Sequence, residues 1–225
     1  VFGSAAYTEN LPIIDDLRAA ATSQRRLQMT EKSHTFELGA EYTGDTVFAP
    51  GDTFSVRGNV YHTELYDITS YTVAGSTTTD LDRVETRGFE LEASYGMASG
   101  VYVDFAGHIG EGTEVNPDGT RATWRNSPAN RAQLTVGRKW DDWLDLSWEV
   151  VHSNDRRDAL GAALSDSTVH NLRATWKPKG QAWLNGSELR LGVENALDAT
   201  YVGHLSSPTR KAPGRSFKLS LAKTF

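Results

Sequence analysis

The sequence predicts an all-β fold, an antiparallel transmembrane β-barrel, and three observations carry that prediction. The first is the last segment. There Phe217, Leu219, Leu221 and Phe225 share one parity and Ser216, Lys218, Ser220 and Thr224 the other, with Lys223 the exception. Alternation of this kind sets one face against apolar material and the other against water. A strand that stops on an aromatic residue suits the rim of an outer-membrane barrel, where rings sit at the interface. The second observation is that the connections alternate between long and short, as they do when short turns occupy one rim and long loops the other. The third is a mean hydropathy of −0.47 with 38% hydrophobic residues in a chain of 225. No apolar run approaches the roughly 18 residues of a membrane helix. A barrel wall keeps its apolar residues at every second position, so a low average is compatible with a membrane span.

Taken in order, the chain offers ten strand candidates. Residues 1–9 form the first, and 10–32 a long loop with Pro12, a short helix around 13–21 and the basic pair Arg25-Arg26. Residues 34–43 place Phe36, Leu38, Ala40 and Tyr42 outward and Glu37, Gly39 and Glu41 inward. After Gly44-Asp45 and Pro50-Gly51-Asp52, residues 53–63 set Phe54, Val56, Gly58 and Val60 against Ser55, Arg57, Asn59 and Tyr61. A Thr- and Gly-rich loop follows around 70–82. Residues 83–95 oppose Phe89, Leu91, Ala93 and Tyr95 to Glu90, Glu92 and Ser94, and a tight connection at 96–100 leads into 101–110. In that strand Val101, Val103, Phe105 and Ile109 face away from Tyr102, Asp104 and His108. The loop 111–128 holds the turn Asn116-Pro117-Asp118-Gly119. Residues 129–140 and 143–152 make a hairpin about Asp141-Asp142, and 154–166 form another long loop. Residues 169–178 and 188–195, joined through 181–187, precede the last loop and the last strand.

Composition excludes several classes. The chain has no Cys, so disulfide and thiol chemistry are absent, and a net charge of −6 argues against nucleic acid as a partner. Six Trp, eight Tyr and eight Phe are enough to ring two interfaces. No signal peptide is visible at Val1, and the chain is expected to be a piece of a longer barrel protein.

Three stretches resemble one family, and they occur in the family's order. They are Thr30-Glu31-Lys32-Ser33 ahead of 34–42, then Thr86-Arg87-Gly88-Phe89-Glu90-Leu91. The third is Glu194-Asn195-Ala196-Leu197-Asp198 followed by Tyr201, Pro213-Gly214-Arg215 and a strand ending in Phe225. The pattern resembles the C-terminal part of the barrel of TonB-dependent outer-membrane receptors of the siderophore or haem type. The resemblance implies a 22-strand barrel around an N-terminal plug, of which residues 1–225 are the last ten or so strands, without the plug. It implies a Gram-negative outer membrane and uptake of a ferric siderophore or other metal chelate. The TonB-ExbB-ExbD complex would supply energy through the missing plug. Haem receptors of the family carry a histidine in the loop corresponding to 10–33. That loop has none, and residues 7–12 only faintly resemble the haem box, so haem is the lesser ligand.

With the terminal aromatic at the inner rim, 10–33, 70–82, 111–128, 154–166 and 196–214 face outward from the cell. His34, His62, His108, His152, His170 and His204 then lie in or beside that half. No pair of them has a metal-ligand spacing, and no resident metal or cofactor is expected. Parity sends His62, His152 and His170 toward lipid or its headgroups, His108 inward, and His34 and His204 near loops. A second group is basic: Arg18, Arg25, Arg26, Arg121, Arg125, Arg156, Arg157, Arg210 and Lys211. Guanidinium groups match carboxylate, catecholate and phosphate oxygens in pairs. The group fits capture of an anionic chelate, or contact with lipopolysaccharide and plain loop solubility, since Asp15, Asp16, Asp155 and Asp158 sit beside it. The candidate ligand residues are Arg25, Arg26, Arg121, Arg125, Arg156, Arg157, His108 and His204.

A third group is acidic. Glu37, Glu41, Glu90, Glu92, Asp104, Asp145 and Glu149 have inward parity, with Arg57, Arg131, Arg173 and Arg190 able to face them. An alternative reading makes the chain a small self-contained barrel enzyme, a protease or lipase with His108 as general base. The acids spread evenly along successive strands, as a polar lumen wall requires, and no Ser occupies a nucleophile motif.

Overall fold

The computed structural model describes residues 1–11, 30–71, 78–124, 126–157, 162–180, 182–203 and 210–224. The expected helix at 13–21 and the terminal Phe225 lie outside them. Among the described residues the chain is a succession of strands with one 3-10 turn, Ala182–Leu184. The wall strands are β1 (Phe2–Asn10), β2 (Glu31–Asp45), β3 (Thr53–Tyr66), β6 (Arg83–Gly96), β7 (Val101–Val115), β9 (Arg131–Trp140), β10 (Leu144–Ser153), β13 (Ser167–Trp176), β14 (Ser187–Glu194) and β15 (Ser216–Lys223). Each pairs antiparallel with the next in chain order, a plain meander, and β1 and β15 are the ends of the path.

These are the ten strands that alternation predicts, and the connections at one end of the sheet are long and at the other short. Three long connections carry small pieces of their own. They are the hairpin β4 (Thr69–Tyr71) with β5 (Thr78–Asp80), the strand β8 (Arg121–Thr123) on the end of β7, and the hairpin β11 (Arg156–Arg157) with β12 (Ala163–Leu164). Several wall strands run further toward the long loops than their apolar alternation. β2 begins at Glu31, β3 reaches Tyr66 and β7 reaches Val115. Ladder hydrogen bonds do not need apolar side chains, and polar pairs continue the ladder. Arg87 bridges Glu111, and Glu85 accepts from Arg83 at 2.7 Å and Arg121 at 2.5 Å.

Register decides which residues share a face. The pairings Phe36↔His62, Leu38↔Val60↔Phe89↔Ile109 and Tyr42↔Val56↔Ala93↔Phe105 run across β2, β3, β6 and β7. Val136↔Trp148↔Leu172↔Val193↔Phe217 continue the apolar face to β15. This outer face is exposed: Phe36 is 55%, Leu38 60%, Ile109 63% and Leu219 71% accessible. Buried hydrophobics among the described residues reduce to Leu81, Val84, Val115 and Leu164, all near the long-loop end. An apolar face this large without a core beneath it is a lipid-facing wall. From Phe36 to Tyr42 it runs ~20 Å along the strand at the rise of an extended chain, the scale of the apolar band of a membrane barrel.

Aromatic residues mark both borders. Phe48 packs edge-on against Phe54 and Tyr95 at 5.2 and 5.7 Å, with Tyr42 beside Phe54 at 6.3 Å. Trp140 and Trp176 end β9 and β13 at the same short-turn rim. At the other border His34 lies between the rings of Tyr7 and Tyr66 at 5.1 and 5.4 Å. The turn 46–52 is tied by Asp52, whose carboxylate accepts backbone N–H groups of Val47, Phe48 and Ala49 at 2.7, 3.0 and 2.7 Å, and the Tyr95 hydroxyl at 3.0 Å.

Candidate functional site

The opposite, lumenal face is polar, and on β9, β10 and β13 its side chains converge on one carboxylate. Glu149 pairs directly with Asn171, and Gln133 and Arg173 stand one diagonal step away on the flanking strands. Its Oε1 accepts from Asn171 Nδ2 at 2.7 Å and Arg173 Nη2 at 2.9 Å. Its Oε2 accepts from Gln133 Nε2 at 2.9 Å and Arg173 Nη1 at 3.0 Å. Glu149 is 7% exposed, and a two-pronged guanidinium with two amides is the arrangement that lets a carboxylate stay charged there.

Asn171 also receives the last long loop. The backbone N–H of Asn195 donates to Asn171 Oδ1 at 2.9 Å. Asn195 is 3% exposed with φ of 50°, a conformation that Asn tolerates better than most residues. Its Oδ1 accepts from Ala199 N at 2.8 Å, and its Nδ2 donates to Ala199 O at 2.8 Å and Pro213 O at 3.3 Å. Asp198 holds the other side of the loop by accepting from Arg215 N at 2.8 Å. A Cβ on Gly214 would lie 2.7 Å from Asp198 Oδ1, which explains a glycine before Arg215. The Asn-Ala-Leu-Asp and Pro-Gly-Arg segments are therefore the two jaws of one loop staple.

Above this wall, at the long-loop end, a cavity of about 440 Å³ is bordered by Arg131, Glu149, Arg156, Asn171, Asn195 and Tyr201, among others. Glu149 is already neutralised by Arg173, and no carboxylate among the described residues forms an ion pair with Arg131. Arg156 donates to the carbonyl of Ser127 and borders the cavity. The two guanidinium groups at its border suit an anionic ligand with paired oxygens.

His108 is lumenal as parity predicts. Its Nε2 is 2.9 Å from the Tyr61 hydroxyl, and the two rings stack at 6.1 Å and 13°. A Cβ on Gly88 would stand 2.6 Å from the Tyr61 ring, so the flanking strand is bare where the pair lies. His62 faces Glu64 at 3.5 Å, His152 reaches Thr168 at 2.9 Å, and His170 stacks on Trp148 at 5.6 Å, all on the outer face. No group of three His, Cys, Asp or Glu among the described residues could hold a metal.

Of the residues singled out by sequence, Arg156 borders the cavity, Arg157 follows it in β11, and His108 stands on the same face, opposite Arg131 in register. Arg121 is on the outward side of the long-loop end, bound to Glu85. Arg25, Arg26, Arg125 and His204 lie outside the described residues. Asn171, Asn195 and Tyr201 were not singled out as site residues. Inward parity flags Arg131 and Glu149 as wall, but only the register brings them, Asn171 and the last loop together.

A family model, TonB dependent receptor-like, beta-barrel, matches residues 1–196. The chain belongs to the TonB-dependent receptor barrel family. Barrels of this family lie in the outer membrane of Gram-negative bacteria. No curated protein sequence matches the chain. Among solved structures, the copper transporter OprC is similar at a TM-score of 0.77 and 18% identity, covering 99% of this chain and 36% of that one. The FrpB iron transporter from Neisseria meningitidis is similar at 0.72 and 17%, covering 97% and 36%. The ferripyoverdine receptor of Pseudomonas aeruginosa, bound to ferripyoverdine, is similar at 0.65 and 15%, covering 97% and 30%. The chain thus spans about a third of these receptors' length, and the likeness is one of fold. Within a TonB-dependent barrel the polar face of β9 to β15 is lumen wall and the apolar face meets lipid.

Proposed function

We propose that the chain is the C-terminal part of the barrel of a receptor that takes up an iron chelate, a ferric siderophore in preference to haem. The long loops would face outside the cell, and the TonB-ExbB-ExbD complex would act through a plug in the rest of the protein. The observation that supports this ligand class is the cavity at the long-loop end, which Arg131 and Arg156 border and where Glu149 is already paired with Arg173. Siderophore complexes present carboxylate, catecholate or hydroxamate oxygens around the metal, and guanidinium groups pair with such oxygens. A self-contained barrel enzyme finds no support in the family.

The test is a titration of the full-length parent in detergent with ferric siderophores, haem and free divalent metals, read by tryptophan emission. Saturable binding of a ferric chelate is the expected result. Binding of none of them, with turnover of a peptide or lipid instead, would overturn the reading.

A further inference from the structure

The outer face carries a charge that a lipid-facing wall does not need. Of the outward positions on β9, β10, β13 and β14, Arg138 alone is Lys, Arg, Asp or Glu. It pairs in register with Val101 and Leu146, both apolar, and is exposed. No carboxylate among the described residues forms an ion pair with it. Its guanidinium lies over the Trp140 ring, 4.8 Å from the centroid, at the short-turn border of the apolar band. A cation on the lipid face costs least at the border, where it reaches the headgroups.

Beside Arg138 the face is hollow. A groove of about 590 Å³ runs over Val136, Leu146, Trp148, Leu172, Leu191 and Val193, with Arg138 in its row nearer the short turns. Its depth has a local cause: Ala174 stands in the row between Leu146 and Leu191, where a larger side chain would fill it. Groove and cation together match one kind of molecule, with an acyl chain to fill the apolar part and an anionic oxygen pair to meet the guanidinium.

We propose that this groove binds an anionic glycerophospholipid of the leaflet at the short-turn rim, its phosphate on Arg138 and an acyl chain along Leu146, Leu172 and Leu191. The planar fork donates to two phosphate oxygens at once, and Trp140 beneath it holds the fork in place without supplying a competing acceptor. A zwitterionic headgroup brings its own ammonium to the phosphate and gains less from the arginine. The site rests on the outer face meeting lipid and is independent of the transported ligand.

The experiment strips the full-length parent of lipid in detergent, adds back phosphatidylglycerol, phosphatidylcholine or lipid A, and counts retained lipid by native mass spectrometry. One phosphatidylglycerol per barrel is expected, held more tightly than either alternative. Arg138→Gln should raise the half-saturating concentration about tenfold or more, the loss of a charge-assisted hydrogen-bond pair. Ala174→Phe, which fills the groove and leaves the guanidinium untouched, should do the same. Retention of phosphatidylglycerol unchanged by both substitutions would overturn the site. A preference of the unaltered protein for phosphatidylcholine or lipid A would overturn the ligand, and needs no variant.

Discussion

The backbone N–H of Asn195 donates to the side-chain oxygen of Asn171 at 2.9 Å, and the Asn171 amide donates in turn to Glu149 at 2.7 Å. One chain of hydrogen bonds therefore runs from the wall ion pair to the staple of the last long loop. Asn195→Gly keeps the positive φ and removes the three side-chain bonds, at a cost of about 2 kcal/mol for buried partners left unpaired. Asn195→Ala adds left-handed strain to the same loss. Proteolysis within 196–214 of the parent receptor should rise about tenfold or more for the glycine variant and further for alanine, with the heat-modified barrel mobility intact. Equal cleavage of all three proteins would show that the staple does not hold the loop.

Glu149 and Arg173 should respond unequally to substitution. Glu149 is buried while the Arg173 side chain is 51% exposed, so removing the arginine strands a charge whereas removing the carboxylate frees a solvated one. Glu149→Gln is expected to cost about 1 kcal/mol or less, and Arg173→Met about 2, reduced from the cost of a fully buried pair because Gln133 and Asn171 remain. The temperature at which the parent barrel loses its folded electrophoretic mobility measures both. A larger drop for Glu149→Gln would reverse the argument.

Much of this was legible beforehand, for a reason specific to strands. A period of two sorts every residue onto a face, so Phe36 to Tyr42 and Phe89 to Tyr95 announced the outer wall and Glu149 the inner one. Loop length announced the two ends. What parity does not contain is register, the offset of one strand on the next. Glu149 meets Asn171 because β10 pairs with β13 at a particular offset, and Asn171 meets Asn195 because β13 pairs with β14 at another. Loop hairpins escaped for a related reason: Arg156-Arg157 and Ala163-Leu164 are too short to alternate visibly. Arg138 escaped because it breaks the outward pattern that identified its strand.

Asp52 links the fold at the short-turn end to pH. Burial alone would push its pKa up, but the N–H groups of Ala49, Phe48 and Val47 and the Tyr95 hydroxyl outweigh that and hold it below the ordinary value of 3.8. A depressed folded value contributes stability that is fully present above the unfolded value and is lost as pH falls through the folded one. The heat-modification temperature of the parent should therefore drop in the acid range more steeply for the native residue than for Asp52→Asn. Parallel curves would mean that the turn does not contribute.

Arg156 and Arg157 are neighbours in β11 with different surroundings. Arg156 borders the cavity, whereas Arg157 is exposed and does not. Charge reversal of Arg156 should weaken ferric-chelate binding by the parent about tenfold or more, by removing a charge-assisted contact and adding a repulsive carboxylate. The same change at Arg157 should act mainly through the field, be smaller, and fade as salt is raised. If Arg157→Glu weakens binding more than Arg156→Glu, the ligand lies over the loop instead of in the cavity.

The two ends of the sheet give the last expectation. β1 and β15 each pair on one side only, so residues 1–225 expressed alone would present two rows of unpaired N–H and C=O groups. Hydrocarbon offers those groups no partner, and each unsatisfied one costs several kcal/mol. β1 and β15 also differ in length, nine residues against eight, and both carry outward apolar residues, which favours pairing with other chains over exposure to detergent. The isolated segment should therefore aggregate or remain unfolded, and co-refolding with the remainder of the parent barrel should rescue it. A monomeric, heat-modifiable ten-stranded species in detergent would show that the sheet closes on itself, with β1 bonded to β15.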